Sequence, residues 1–227
     1  MSKNEKEIFE EAKQAYLNKE YDRALTIWKQ LADDNDSEAM AWLGSMYANG
    51  EGSPIDLKQA LYWYEKAAQE NNPMAQANIG VMYYLGQGAE KSLENAIKWL
   101  TAAAENNDNN GLFNLAVLYS KGEGVEQDEK KAASLYQKAA ENGHYPSQSR
   151  LGYMYAHGQG VKKDRVLAYV WLTLAAQHGI GTALNALESV VKNMSSEEKA
   201  MGMNLFEQWR NKTGANQMQV AMHPIPS

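Results

Sequence analysis

Apolar residues along this chain recur at helical spacing in short runs, and glycine cuts the runs at regular intervals. Met40, Leu43 and Tyr47 mark one apolar face with the small Gly44 beside them, and steps of three and four put such residues on one side of a helix. A Gly-x-Gly break follows at Gly50 and Gly52, where glycine can take a left-handed backbone at no steric cost. The next apolar face, Ala60, Trp63, Tyr64, Ala67 and Ala68, predicts a second helix. Asp56 opens it as a residue type whose side-chain oxygen caps free backbone N–H groups. Asn71 closes it as a residue type that tolerates the left-handed C-terminal position.

This helix pair repeats every 36 residues. Leu43-Gly44-Ser45, Ile79-Gly80-Val81, Leu115-Ala116-Val117 and Leu151-Gly152-Tyr153 are in one register, as are Tyr47, Tyr83, Tyr119 and Tyr155. The breaks fall at Gly50/Gly52, Gly86/Gly88, Gly122/Gly124 and Gly158/Gly160. Second helices open at Asp56, Ser92, Asp128 and Asp164 and end at Asn71, Asn107, Gly143 and Gly179. A single pair cannot bury its apolar face, so the units must stack. The predicted fold is all-α, a right-handed α–α superhelix of helix pairs.

The run Leu-Gly-x-x-Tyr-x-x-Gly-x-Gly, then Asp, then Ala-x-x-Trp-Tyr-x-x-Ala-Ala resembles the Sel1-like repeat, a relative of the tetratricopeptide repeat. The resemblance divides the chain into a tetratricopeptide-like capping pair over 1–36, four repeats over 37–182, a fifth first helix with a capping helix over 183–212, and a flexible tail over 213–227. In the N-terminal pair the step from Tyr16 to Ala24 is 8 residues, against 13 from Tyr47 to Ala60, so the Gly-x-Gly loop is missing there. At the far end Ser195-x-x-Glu198 is a capping-box pattern. It opens a helix bearing Met201, Leu205, Phe206 and Trp209. Departures from the family pattern include Ser92 for Asp, Leu100 for Tyr, Leu135 for Trp, and Gly111 for a helix-start Ala.

Composition narrows the chemistry. The 227 residues include 22 Lys and Arg against 28 Asp and Glu, a formal charge of −6, and no cysteine. Disulfides, thiolate metal sites and a cysteine nucleophile are excluded. A net acidic chain without basic blocks is not expected to bind nucleic acid. No apolar run reaches the ~18–20 residues of a membrane span, and the N-terminal sequence lacks a secretory apolar core, so a cytoplasmic protein without membrane insertion is expected.

The chain carries fragments of catalytic and cofactor motifs without the context each needs. The Gly-x-Gly elements follow helices, whereas a dinucleotide-binding loop follows a strand. His144, His157, His178 and His223 lack ligand spacing, so no metal or other cofactor is expected. Ser196-x-x-Lys199 and Lys212-Thr213-Gly214 match fragments of serine-type penicillin-binding motifs. They lie 13 residues apart on one predicted helix and its tail, without the intervening Ser-x-Asn, and read as coincidence. A secreted, cysteine-rich branch of the resembled family is associated with penicillin binding; this chain lacks its cysteines.

What remains is the concave face, lined by the first helix of each pair. Between the core positions fall Trp42 in the first repeat, Asn78, Val81 and Tyr84 in the second, Phe113, Asn114 and Val117 in the third, and Arg150, Tyr153 and His157 in the fourth. Asn78, Asn114 and Arg150 share one repeat position. In the tetratricopeptide domains this chain resembles, Asn or Arg there holds peptide backbone or carboxylate. Ala41 and Ser45 stand where a full carboxylate clamp needs Lys and Asn. Aromatic residues on such a face are the usual anchors of an interface. The expected function is a non-catalytic scaffold or adaptor for a peptide or protein partner. One alternative is an immunity or inhibitor protein that neutralises a partner toxin or enzyme; a cell-wall hydrolase is a more remote one, because no nucleophile–base pair is present.

Overall fold

The structure, a computed structural model, describes residues 3–214. Among these residues there are twelve helices and no strand: α1 (Lys3–Leu17), α2 (Tyr21–Asp33), α3 (Ser37–Asn49), α4 (Leu57–Gln69), α5 (Pro73–Leu85), α6 (Leu93–Glu105), α7 (Asn109–Lys121), α8 (Glu129–Glu141), α9 (Tyr145–His157), α10 (Arg165–Gln177), α11 (Gly181–Lys192) and α12 (Ser196–Gly214). Two compact units divide the chain, residues 1–111 and 112–227, and the boundary falls inside α7. The tail expected over 213–227 lies outside the described residues beyond Gly214, which still belongs to α12. His223 lies outside them too.

Each repeat is closed by the same three devices. The N–H of Asp56, Ser92, Asp128 and Asp164 donates to the carbonyl of Tyr47, Tyr83, Tyr119 and Tyr155 respectively, each at 2.9 Å. The start of the second helix is thereby tied to the end of the first. The side chains of the same four residues then cap that second helix, accepting from the backbone N–H groups of its first turn. At the other end, residues 71, 107, 143 and 179 all take left-handed backbone, and Asn35 does the same one period earlier. The left-handed helix end therefore reaches back into the N-terminal pair, where a short turn through Lys19 (φ 64°) replaces the loop and Glu20 does not cap α2 with its side chain.

A fourth device joins successive pairs. The second glycine of the break lies against the first turn of the preceding pair's second helix. A Cβ at Gly52 would stand 2.8 Å from the Tyr21 carbonyl oxygen, and one at Gly88 or Gly160 would overlap the carbonyl of Leu57 or Glu129. This glycine is required for closeness between backbones as well as for its positive φ.

Unit 1 packs α1 to α6 around Trp28, Leu43, Met46, Tyr64, Ile79, Met82 and Leu100, all buried. Helices within a pair meet through the small residues of the pattern: a Cβ on Gly44 would stand 2.6 Å from the Tyr64 ring, and one on Gly80 would stand 2.7 Å from Leu100. Unit 2 repeats the contact between Gly152 and Leu172, at 2.7 Å. Its core adds Tyr136, Leu151, Val170 and Trp171. Ser195 and Glu198 form the reciprocal capping box, with Ser195 N–H to Glu198 Oε2 at 2.7 Å and Glu198 N–H to Ser195 Oγ at 3.1 Å. The helix it opens, α12, covers α10 with the buried Phe206 and with Trp209, whose ring centroid is 4.8 Å from that of Trp171. Met201, expected on that apolar face, is 56% exposed, and Gly202 takes the contact against Tyr169 instead.

Candidate functional site

The first helices carry the groove positions, and the two units treat them differently. In unit 1, Trp42 is only 8% exposed. Its ring stacks on Trp28 at 5.5 Å with an interplanar angle of 2° and meets Tyr16 edge-on at 5.0 Å. Expected as a partner anchor, Trp42 is core, because the N-terminal pair supplies two aromatic rings at that point. Tyr16 also donates to the Glu51 carboxylate at 3.0 Å, which joins α1 to the first break. Asn78 is half-buried, and its side chain, with that of Ser45, hydrogen-bonds the hydroxyl of the buried Tyr64. Burial pushes that phenol well above its ordinary pKa, so it stays neutral and these hydrogen bonds persist across the working pH range. Val81 and Tyr84 are half-buried on the same helix.

In unit 2 the same face opens. A groove of about 1050 Å³ runs between α9 and α11. Its walls include Phe113 from α7, Arg150, Tyr153 and His157 from α9, and Asn185, Ser189 and Asn193 from α11 and its C-terminal cap. Tyr153 is 42% exposed, and Arg150 and His157 are exposed as well. The His157 ring stacks on Tyr153 at 4.0 Å, and its Nδ1 lies 2.8 Å from the Tyr153 carbonyl oxygen, which fixes the two rings as one stacked pair. Phe113 is half-buried, edge-on to Tyr136 at 5.5 Å and to His144 at 5.4 Å. Burial pushes the Tyr136 phenol up to about 12, opposed by the positive charge of Arg150 nearby. Asn114 and Val117 are half-buried on α7 and are absent from the groove wall.

Of the ten residues expected on the face, Phe113, Arg150, Tyr153 and His157 come together in this groove. The α11 wall, Asn185, Ser189 and Asn193, follows from shifting Ser149, Tyr153 and His157 by one more period of 36. Two residues that periodicity of the first helices does not mark complete the wall, Lys163 from the break after α9 and Arg165 at the start of α10. Among the described residues, no group of three or more His, Asp or Glu is placed to hold a metal ion. Ser196 and Lys199 lie on α12 in its first turn.

The architecture defines a protein of stacked, glycine-punctuated helix pairs. The Sel1 repeat matches residues 37–72, 73–108, 110–144 and 146–180, and the chain belongs to the Sel1 repeat family. A Sel1 repeat protein from Oxalobacter formigenes is 33% identical with a TM-score of 0.75, covering 92% of this chain and 84% of its own. The protective antigen c5321 of uropathogenic Escherichia coli, with the same repeat fold, is 28% identical with a TM-score of 0.77 over 90% of this chain. The match spans 45% of that antigen, less than half its length. Immunity protein Pa5087 of Pseudomonas aeruginosa, 19% identical, covers 99% of this chain and 91% of its own with a TM-score of 0.58, a likeness of fold alone. No curated protein matches the chain. The fold is thus the all-α solenoid class of helix pairs, and proteins of this repeat are in general interaction scaffolds. No helix among the described residues is long and apolar enough to cross a membrane.

Proposed function

We propose that this chain is a non-catalytic scaffold that holds a segment of a protein partner in the groove between α9 and α11. In this reading residues 1–36 cap four repeats over 37–182, and the last first helix and its capping helix, 183–212, complete the groove. The observation that supports it is the contrast between a wide, open groove and the exposed Tyr153–His157 surface and Arg150 on its wall. Exposed aromatic and arginine side chains in a concavity are the residue types that carry binding energy. Hydrogen-bonding groups on the opposite wall, Asn185, Ser189 and Asn193, can meet the backbone of an extended or helical segment.

The test is to fill the groove. Ser189→Trp and Asn185→Trp replace small exposed side chains on its wall. Partners recovered by affinity purification and mass spectrometry with the native chain are expected to disappear with the filled variants, while the helical content stays the same. Equal recovery of the same partners by the filled variants rules the groove out.

A further inference from the structure

The charges on the groove wall point to the chemistry of its occupant. Arg150, Lys163 and Arg165 line it, and no aspartate or glutamate does, although the chain as a whole carries −6. Two carboxylates beside Lys163 and Arg165 are already committed. Asp164 Oδ1 accepts from the Val166 and Leu167 N–H groups at 2.9 Å, as the cap of α10. Glu198 accepts from the Ser195 N–H and pairs with Arg165 at 3.5 Å, and the Ser195 hydrogen bond first, then Arg165, holds its carboxyl below the usual range. Arg150 and Lys163 are exposed and have no carboxylate partner among the described residues.

From this we infer that the occupant is a short acidic segment of a partner protein, a refinement that rests on the groove being the binding site. Its carboxylates meet Arg150 and Lys163, and an aromatic or large aliphatic side chain lies on Tyr153 and Phe113. Arg150 offers a planar fork suited to a carboxylate. Ala186, one period after Arg150, is small and lines the same groove, which leaves the guanidinium uncrowded from that wall. The segment is short because the groove that takes it holds only about 1050 Å³. This local reversal of sign selects for sequence more than it adds raw affinity.

The test is selection of a random dodecapeptide phage library on the native chain and on the double variant Arg150→Glu/Lys163→Glu. The native chain is expected to enrich net-negative peptides that contain an aromatic or large aliphatic residue. A representative fluorescent peptide should bind about tenfold more weakly, by anisotropy, when its Asp and Glu become Asn and Gln, and more weakly again as salt rises. The double variant should lose that peptide. Enrichment of neutral or basic peptides that Ser189→Trp releases overturns the acidic assignment and leaves the groove intact. Peptides that bind equally to the native chain and to Ser189→Trp, or no enrichment above bare support, overturn both. Arg150→Gln and Lys163→Gln repeat the comparison should the double variant not fold by circular dichroism; unchanged binding to these also overturns the assignment.

Discussion

Trp42 and Arg150 stand at the same point of the repeat, 108 residues apart, one in each compact unit. Trp42 is buried between Trp28 and Tyr16, whereas Arg150 is exposed on a groove wall. The repeat register assigns both to the first helix and to its non-core side; what separates them is the neighbour. An aromatic-rich capping pair lies on the first, and a helix offering alanine, serine and asparagine faces the second. In a repeat protein each unit contacts mainly its neighbours, so the neighbour decides whether a given position is core or site.

Exchanging the two chemistries gives the largest effect. Trp42→Arg removes the stacking partner of Trp28 and leaves a guanidinium in an apolar pocket. A loss of about 4 kcal/mol is expected from cavity and charge burial together. Arg150→Trp, on an exposed site, is expected to change stability by less than about 1 kcal/mol and to abolish acidic-peptide binding. Urea unfolding monitored by circular dichroism measures both. Similar costs for the two variants would break the contrast between the units.

A second contrast lies at the helix starts. The side chains of Asp36, Asn72 and Asp108, spaced by 36, accept N–H groups at 2.9, 3.0 and 2.7 Å in unit 1. The next two members of the series are His144 and Ile180, neither of which caps its helix with a side-chain hydrogen bond. Burial lowers the His144 pKa to about 4 from its ordinary 6.5. The unfolded chain therefore binds a proton that the folded chain refuses between those values. Stability from this group is full above pH 6.5 and is lost as pH falls toward 4, by up to about 3 kcal/mol. His144→Asn is expected to flatten that acid limb and to add about 1 kcal/mol at pH 7 by restoring a cap. The urea midpoint from pH 7 to pH 4.5 reads both changes. Parallel pH curves for the two proteins would show that the ring is not the titrating group.

How much of this was legible beforehand follows from what period and residue type encode. The helix pairs, the caps at Asp56, Ser92, Asp128 and Asp164, and the Ser195–Glu198 box were readable because each is a local device with its own residue chemistry. The fate of Trp42 was not readable, because it depends on Trp28 and Tyr16 meeting it from another pair. The hydrogen bond of Asn78 to Tyr64 was not readable either, because it depends on packing between helices of different pairs. Lys163 and Arg165 are not marked by the period, since one lies in a break and the other opens a second helix, where the 36-residue pattern marks glycines and caps rather than a surface. Asn185, Ser189 and Asn193 needed only one more step of the same shift.

The smallest effect tests the units at their helix ends. Unit 1 places Asn35, Asn71 and Asn107 at the left-handed position, and unit 2 places Gly143 and Gly179 there. Gly143 has φ +87°, and a Cβ on it would have nothing within 4 Å. Sterics with neighbours therefore drop out, and only the backbone preference of the new residue counts. Alanine disfavours this region by about 1 kcal/mol, while asparagine is among the few side chains that adopt it routinely. Gly143→Ala is expected to cost about 1 kcal/mol. Gly143→Asn should lie within about 0.5 kcal/mol of the native chain, since a stiffer unfolded state offsets the residual strain. Thermal and urea unfolding of the two variants side by side decide the matter. Equal costs would mean that the difference between asparagine and glycine at this position answers to something other than the backbone.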